Sequence, residues 1–107
     1  MERDSVEFSL NGTTLTARIN CEIDQHTARG IRERIDKEIF LERPRVVRLD
    51  FSGVHFMDSS GIALILGRLE VAEAVGGGLQ ISGMSRAVMK LVQLSGIDRI
   101  DKLTVLP

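Results

Sequence analysis

The spacing of apolar residues changes period along this chain, and the points of change leave few folds open. Val6, Phe8 and Leu10 alternate with polar residues, and so do Leu15, Ala17 and Ile19. Alternation at period two marks a half-buried strand. Asn11-Gly12 lies between the two runs, and this pair readily takes the positive φ angles of a tight turn. The chain is therefore predicted to open with an antiparallel hairpin. Beyond Asp24 the period lengthens. Ala28, Ile31, Ile35 and Ile39 fall three and four apart, which is one face of a helix. Arg29, Glu33 and Lys37 stand four apart on another face and keep it solvated. Pro44 ends this helix. Val46–Phe51 reads as a central strand, broken by Ser52-Gly53. Ile62, Ile65, Leu66, Leu69 and Ala72 form the stripe of a second helix running to Val75, which Gly76-Gly77-Gly78 stops. Leu79–Ser82 is a short strand. Ser85 caps a third helix containing Val88, Leu91, Val92 and Leu94, Gly96 ends it, and Leu103–Val105 is a last strand.

The order β-β-α-β-α-β-α-β defines an α/β fold. An N-terminal β-hairpin leads into βαβ units with right-handed crossovers, and helices pack on a mostly parallel mixed sheet.

Composition narrows the function. At 107 residues the chain is the size of one domain spanning 1–107. Its 43% hydrophobic and 27% charged residues are ordinary for a folded globular protein. Fourteen Lys and Arg against fifteen Asp and Glu leave a net charge of −1. That lacks the basic field that nucleic acid or an anionic membrane requires. The chain has no Trp, no Tyr and four Phe, so it is poor in platforms for stacking bases. One cysteine, Cys21, excludes an intrachain disulfide and a thiolate zinc site, and only two histidines accompany it. No metal or cofactor is expected, and a reducing, cytoplasmic compartment is. The run Ile62–Leu66 is far short of a membrane span. Met1-Glu2-Arg3-Asp4 is charged with no apolar run after it, so no signal peptide is expected.

Phe56-Met57-Asp58-Ser59-Ser60-Gly61 carries the most chemical information. It joins a strand to an apolar helix and admits two readings. Asp and Ser are favoured helix N-caps, and a cap alone would account for them. Alternatively one serine is a modification site, because a helix N-terminus offers free N–H groups and partial positive charge to a phosphate. Asp58 would set a like charge beside that phosphate, so modification could close a docking surface by repulsion. A nucleophilic serine fits poorly. Met57 and Asp58 stand where the G-x-S-x-G elbow of a hydrolase needs glycine, and His26 and His55 would be the only bases. Asp24 admits the same two readings. It caps the first helix, or, on a loop at the carboxyl edge of the sheet, it acts beside the serine. His26 is placed just inside that helix. Gly76–Gly78 with Gly83 matches no nucleotide-binding glycine pattern.

The run from Val47 to Ile62, with Asp50-Phe51-Ser52-Gly53 and Phe56-Met57-Asp58-Ser59-Ser60-Gly61 at its centre, resembles the signature of STAS-domain anti-sigma factor antagonists. Ala63–Arg68, Gly76–Gly78 and Ser95-Gly96-Ile97 continue the resemblance, and Glu22–Ala28 matches the segment entering the first helix. It implies a STAS-type fold and a regulator that is not an enzyme. Such a protein binds an anti-sigma factor that is also a serine kinase, and so releases a sigma factor. Phosphorylation of the first serine of the motif, here Ser59, ends the binding, and a serine phosphatase restores it. By position, Asp24, His26, Asp58, Ser60, Gly61 and Ile62 would form the partner-binding face. The alternative within the same fold is a regulatory or scaffold subunit of a signalling complex or a transporter assembly. Asn20-Cys21 stands where the family has a small residue and then glycine. The family continues into a C-terminal helix beyond the point where this chain stops, so one sheet edge is expected to be less covered. A monomer or weak dimer follows.

Overall fold

A computed structural model describes residues 5–107. The reading of Met1–Asp4 lies outside them. The element order is β1 (Val6–Asn11), β2 (Thr14–Ile19), α1 (Ala28–Glu42), β3 (Val46–Asp50), α2 (Ser59–Ala74), β4 (Gly78–Ser82), α3 (Arg86–Ser95) and β5 (Leu103–Val105), with a 3-10 turn at Ile97–Arg99. This is the alternation that the periodicity predicts. The strands form one sheet in the order β1-β2-β3-β4-β5. β1 pairs antiparallel with β2 from Val6↔Ile19 to Asn11↔Thr14, and Gly12 turns the hairpin at φ +63°. The other three pairings are parallel.

Each parallel strand lies next to its predecessor, always on the same side. Right-handed crossovers that all step in one direction put every helix on one face of the sheet. Burial agrees with this. Leu15, Ala17, Ile19, Val47, Leu49, Leu79 and Ile81 are buried, while the residues between them are half-buried or exposed. The uncovered face carries a cross-strand row of Thr16, Arg48, Gln80 and Thr104. In that row the Arg48 Nε donates to Gln80 Oε1 at 2.9 Å. Such a polar surface needs no second layer.

Local signals set most of the element ends. The Ser85 hydroxyl accepts from the Val88 N–H at 3.2 Å, and Gly96 closes α3 in the left-handed region. At the end of α2 the Gly77 N–H reaches the Ala72 carbonyl at 2.8 Å and the Gly76 N–H reaches Glu73 at 2.9 Å. That pair of bonds is a Schellman closure, with Gly76 at φ +85°.

Three sequence expectations are corrected. The first helix starts at Ala28 with Thr27 at its cap position, so Asp24 is not the helix N-cap and His26 lies outside the helix. The Asp24 carboxylate instead caps the preceding turn, accepting from the His26 N–H at 2.8 Å and the Thr27 N–H at 3.0 Å. The stripe of α2 is also rotated from the expected one. Gly61, Leu64, Ile65, Arg68, Leu69 and Ala72 are buried, whereas Ile62 and Leu66 pack only at the edge of the core. An apolar helix offers several possible stripes, and packing against α1 and the sheet selects among them. Third, Phe51 lies beyond the end of β3, which closes at Asp50.

Candidate functional site

Loops that leave the carboxyl ends of parallel strands gather at one edge of a sheet. Here a single backbone bridge ties two of them together. The Ile23 N–H donates to the Phe56 carbonyl, and the Asp58 N–H donates to the Ile23 carbonyl, both at 3.1 Å. Ile23 and Met57 are buried at this bridge. The Asp24 loop is thereby held beside the start of α2, as the topological argument expects.

Asp58 is the N-cap of α2. Its backbone is extended, and its Oδ1 accepts from the Ser60 N–H at 2.8 Å. The capping reading therefore holds for Asp58, and it leaves both serines free of that task. Ser59 is the first helical residue and is exposed. Ser60 is half-buried on the α1 side. Gly61 has a packing reason. A Cβ built there would fall 2.1 Å from Met57 Cγ and 2.2 Å from its sulfur. The glycine lets the buried Met57 side chain run under the first turn of α2.

On the neighbouring loop Asp24 is bonded to backbone and to Thr27, not to a serine hydroxyl. The Thr27 Oγ1 accepts from the Asp24 N–H at 3.0 Å and donates to the Glu22 carbonyl at 2.8 Å. These donors, the Thr27 N–H first, hold the Asp24 carboxyl below the usual aspartate range. Asp24 is half-buried, and its carboxylate stays charged. His26, His55 and Phe56 are exposed, with Phe56 at 51%. Burial, reinforced by Asp24 and Glu22, pushes the Cys21 thiol up, so it stays protonated. Asn20, the first departure from the family pattern, links the exit of β2 to the start of β1. Its Nδ2 donates to Glu7 Oε1 at 2.9 Å, and its Oδ1 accepts from Arg18 Nε at 3.1 Å.

Sequence reasoning missed a groove of about 330 Å³ between α1 and α2, lined by Arg29 and Arg32 on one side and by Ser60, Ala63 and Leu64 on the other. It also missed the residues below it. Arg68 of α2 is only 4% exposed and forms a 2.8 Å ion pair with Asp36 of α1. Arg68 Nη1 has no hydrogen-bond partner among the described residues. Burial raises the Asp36 carboxyl above its ordinary range, although Arg68 and Arg32 draw it down. A helical wheel shows Arg68 as the polar break in an apolar stripe, and that break is the only signal the sequence holds.

Among the described residues no cluster of three or more His, Cys, Asp or Glu is placed to hold a metal ion. No helix among them is long and apolar enough to cross a membrane.

The fold and the serine at the strand-to-helix junction define a class. A family model described as the STAS domain matches residues 5–105, and the chain belongs to that family. Within it, the chain is 36% identical over 84 residues to an anti-sigma F factor antagonist from Lysinibacillus sphaericus, spanning 78% of this chain and 72% of that one. It is 30% identical over 95 residues to an anti-sigma F factor antagonist from Paenibacillus polymyxa, spanning 89% and 81%. The structure of the anti-sigma factor antagonist SpoIIAA in its unphosphorylated form superposes with a TM-score of 0.78 at 30% identity, covering 95% of this chain and 88% of that one. The phosphorylated form of Bacillus SpoIIAA gives 0.69 at 29% identity, covering 95% and 91%.

Proposed function

We propose that this chain is an anti-sigma factor antagonist. In its unphosphorylated state it binds an anti-sigma factor that is also a serine kinase, and so frees a sigma factor. Phosphorylation of Ser59 switches it off, and a serine phosphatase resets it in the cytoplasm. The observation that carries this reading is the placement of Ser59. Its hydroxyl is exposed at the first position of α2, released from capping by Asp58 and held beside the Asp24 loop by the Ile23–Met57 bridge. The names of the relatives point the same way.

In the transfer step the Ser59 oxygen forms a bond to the γ-phosphorus of ATP as the bridging bond to ADP breaks. The hydroxyl proton leaves to a base on the kinase. Asp24, His26, Asp58, Ser60, Gly61 and Ile62 frame the docking face, and the exposed Phe56 adds an apolar contact. The product carries about −1.5 to −2 additional charges next to Asp58. A partner that docked on the neutral hydroxyl then meets repulsion and a desolvation penalty.

The test is incubation with an anti-sigma factor kinase and ATP, followed by phosphopeptide mapping and titration calorimetry. Phosphate is expected on Ser59. Ser59→Ala is expected to bind the kinase and remain unmodified. Ser59→Asp is expected to bind about tenfold more weakly, which is about 1.4 kcal/mol. Phosphate on another residue of an active mixture, or equal affinity of the two variants, overturns the reading.

A further inference from the structure

We propose that the groove between α1 and α2 is an internal phosphate site, in which Arg29 and Arg32 hold the phosphate carried by Ser59. This rests on the phosphorylation proposed above and adds what becomes of the phosphate once it is there. Ser59 and Ala63 stand four apart and so lie one above the other along α2. Ala63 and Ser60, the neighbour of Ser59, line the groove opposite the two arginines, and the side chain of Ala63 is small. Both arginines are available. Among the described residues Arg29 is held only by Glu33 at 3.3 Å, in a pair whose side chains are 79% and 60% exposed. Pairs that exposed are weak and exchange readily. Arg32 forms no ion pair among the described residues.

A third arginine lies one turn further along α2. Arg68 follows Leu64 by four residues and is buried in its ion pair with Asp36, and its Nη1 has no hydrogen-bond partner among the described residues. Counted by element, α1 presents Arg29, Arg32, Glu33 and Asp36, α2 presents Arg68 and Glu70 with Asp58 at its N-cap, and the adjoining loop presents Asp24 and His26. Asp58 at the helix N-cap and Asp24 on the bridged loop repel a phosphate at the junction, and the groove arginines attract it. The guanidinium fork matches phosphate oxygens in a bidentate way that an ammonium cannot. Phosphorylation thus does two things to the docking face. It adds anionic charge, and it withdraws two cations from any acidic group of the partner.

The experiment uses the full chain with phosphoserine installed at position 59 during synthesis, so its result does not depend on whether a kinase selects that residue. The readout is the phosphorus NMR titration of the phosphate, whose ordinary second ionisation lies near pH 6. The unaltered chain is expected to titrate lower. The double variant Arg29→Gln/Arg32→Gln is expected to titrate higher than the unaltered chain by about half a pH unit or more, since a cation within reach favours the dianion. The Arg32 side-chain Nε resonance is expected to shift on phosphorylation. Arg45→Gln/Lys102→Gln, at the opposite end of the sheet strands, is expected to leave the titration unchanged. An identical titration in the unaltered chain and the Arg29/Arg32 variant overturns the proposal. So does an equal rise in the Arg45/Lys102 variant, because the effect would then belong to the net charge of the molecule. The four replaced residues are exposed, so both variants are expected to fold.

Discussion

A few atoms at single residues decide whether Ser59 is presented at all. Asp58 takes the capping bond, and that leaves the serine hydroxyl free at the helix start. Gly61 matters because of what fills the space where its side chain would be. A methyl at that position meets Met57 at Cγ and not merely at the flexible tip of the side chain. Gly61→Ala is therefore expected to destabilise the fold by about 1–3 kcal/mol, the usual range for overpacking a filled core. The loss should appear as a lower urea midpoint with an unchanged m-value. It is expected despite the higher helix propensity of alanine, which alone would stabilise by about 1 kcal/mol. A neutral or positive result would mean that Met57 finds another rotamer at no cost.

At the scale of elements, the contact between α1 and α2 turns on Asp36 and Arg68. Removing one member of a buried pair strands the other charge. Asp36→Ala is expected to cost on the order of 3 kcal/mol in chemical denaturation, near the low end for such pairs because Asp36 keeps some exposure. The double variant Asp36→Leu/Arg68→Met removes both charges and is expected to recover most of that loss. Recovery of stability in the double variant shows that the pair orders the interface and does not drive its formation. The same loss in single and double variants would make the packing of Arg68's aliphatic stem the larger contribution. The ion pair also ties α1 to α2 one turn along each helix from the groove residues Arg32 and Leu64.

For the whole molecule, acid acts on two aspartates in opposite directions. Asp36 holds its proton more readily when folded than the ordinary value of 3.8 describes. The folded state therefore binds more protons than the unfolded chain between 3.8 and the raised value, and stability gains there as pH falls. Asp24 is displaced the other way, so its contribution is present above 3.8 and is lost as pH falls through its lower folded value. Urea unfolding between neutral pH and pH 4 is the check. The stability of the unaltered chain relative to Asp36→Asn is expected to grow as pH drops through that window. A difference that stays flat or shrinks would show that the Asp36 carboxyl is not disfavoured by burial.

The sequence by itself determined the elements and their ends. Alternation at Val6–Leu10 and Leu15–Ile19, the Asn-Gly turn, the helical spacing of Ala28–Ile39, the Ser85 cap and the glycines after α2 are all local signals. Each depends on residues within a turn or two of one another. The strand-to-helix junction at Asp58-Ser59-Ser60-Gly61 was legible for the same reason. Only the tertiary structure decided that Asp24 caps a turn and not the helix, that Leu64 and Arg68 face inward in place of Ile62 and Leu66, and that Arg29 and Arg32 share a groove with Ser60. An apolar helix has more than one face it could bury, and a charge can be buried only where a distant segment supplies its partner. Those choices are made when α1, α2 and the sheet meet, and no spacing within one element records them.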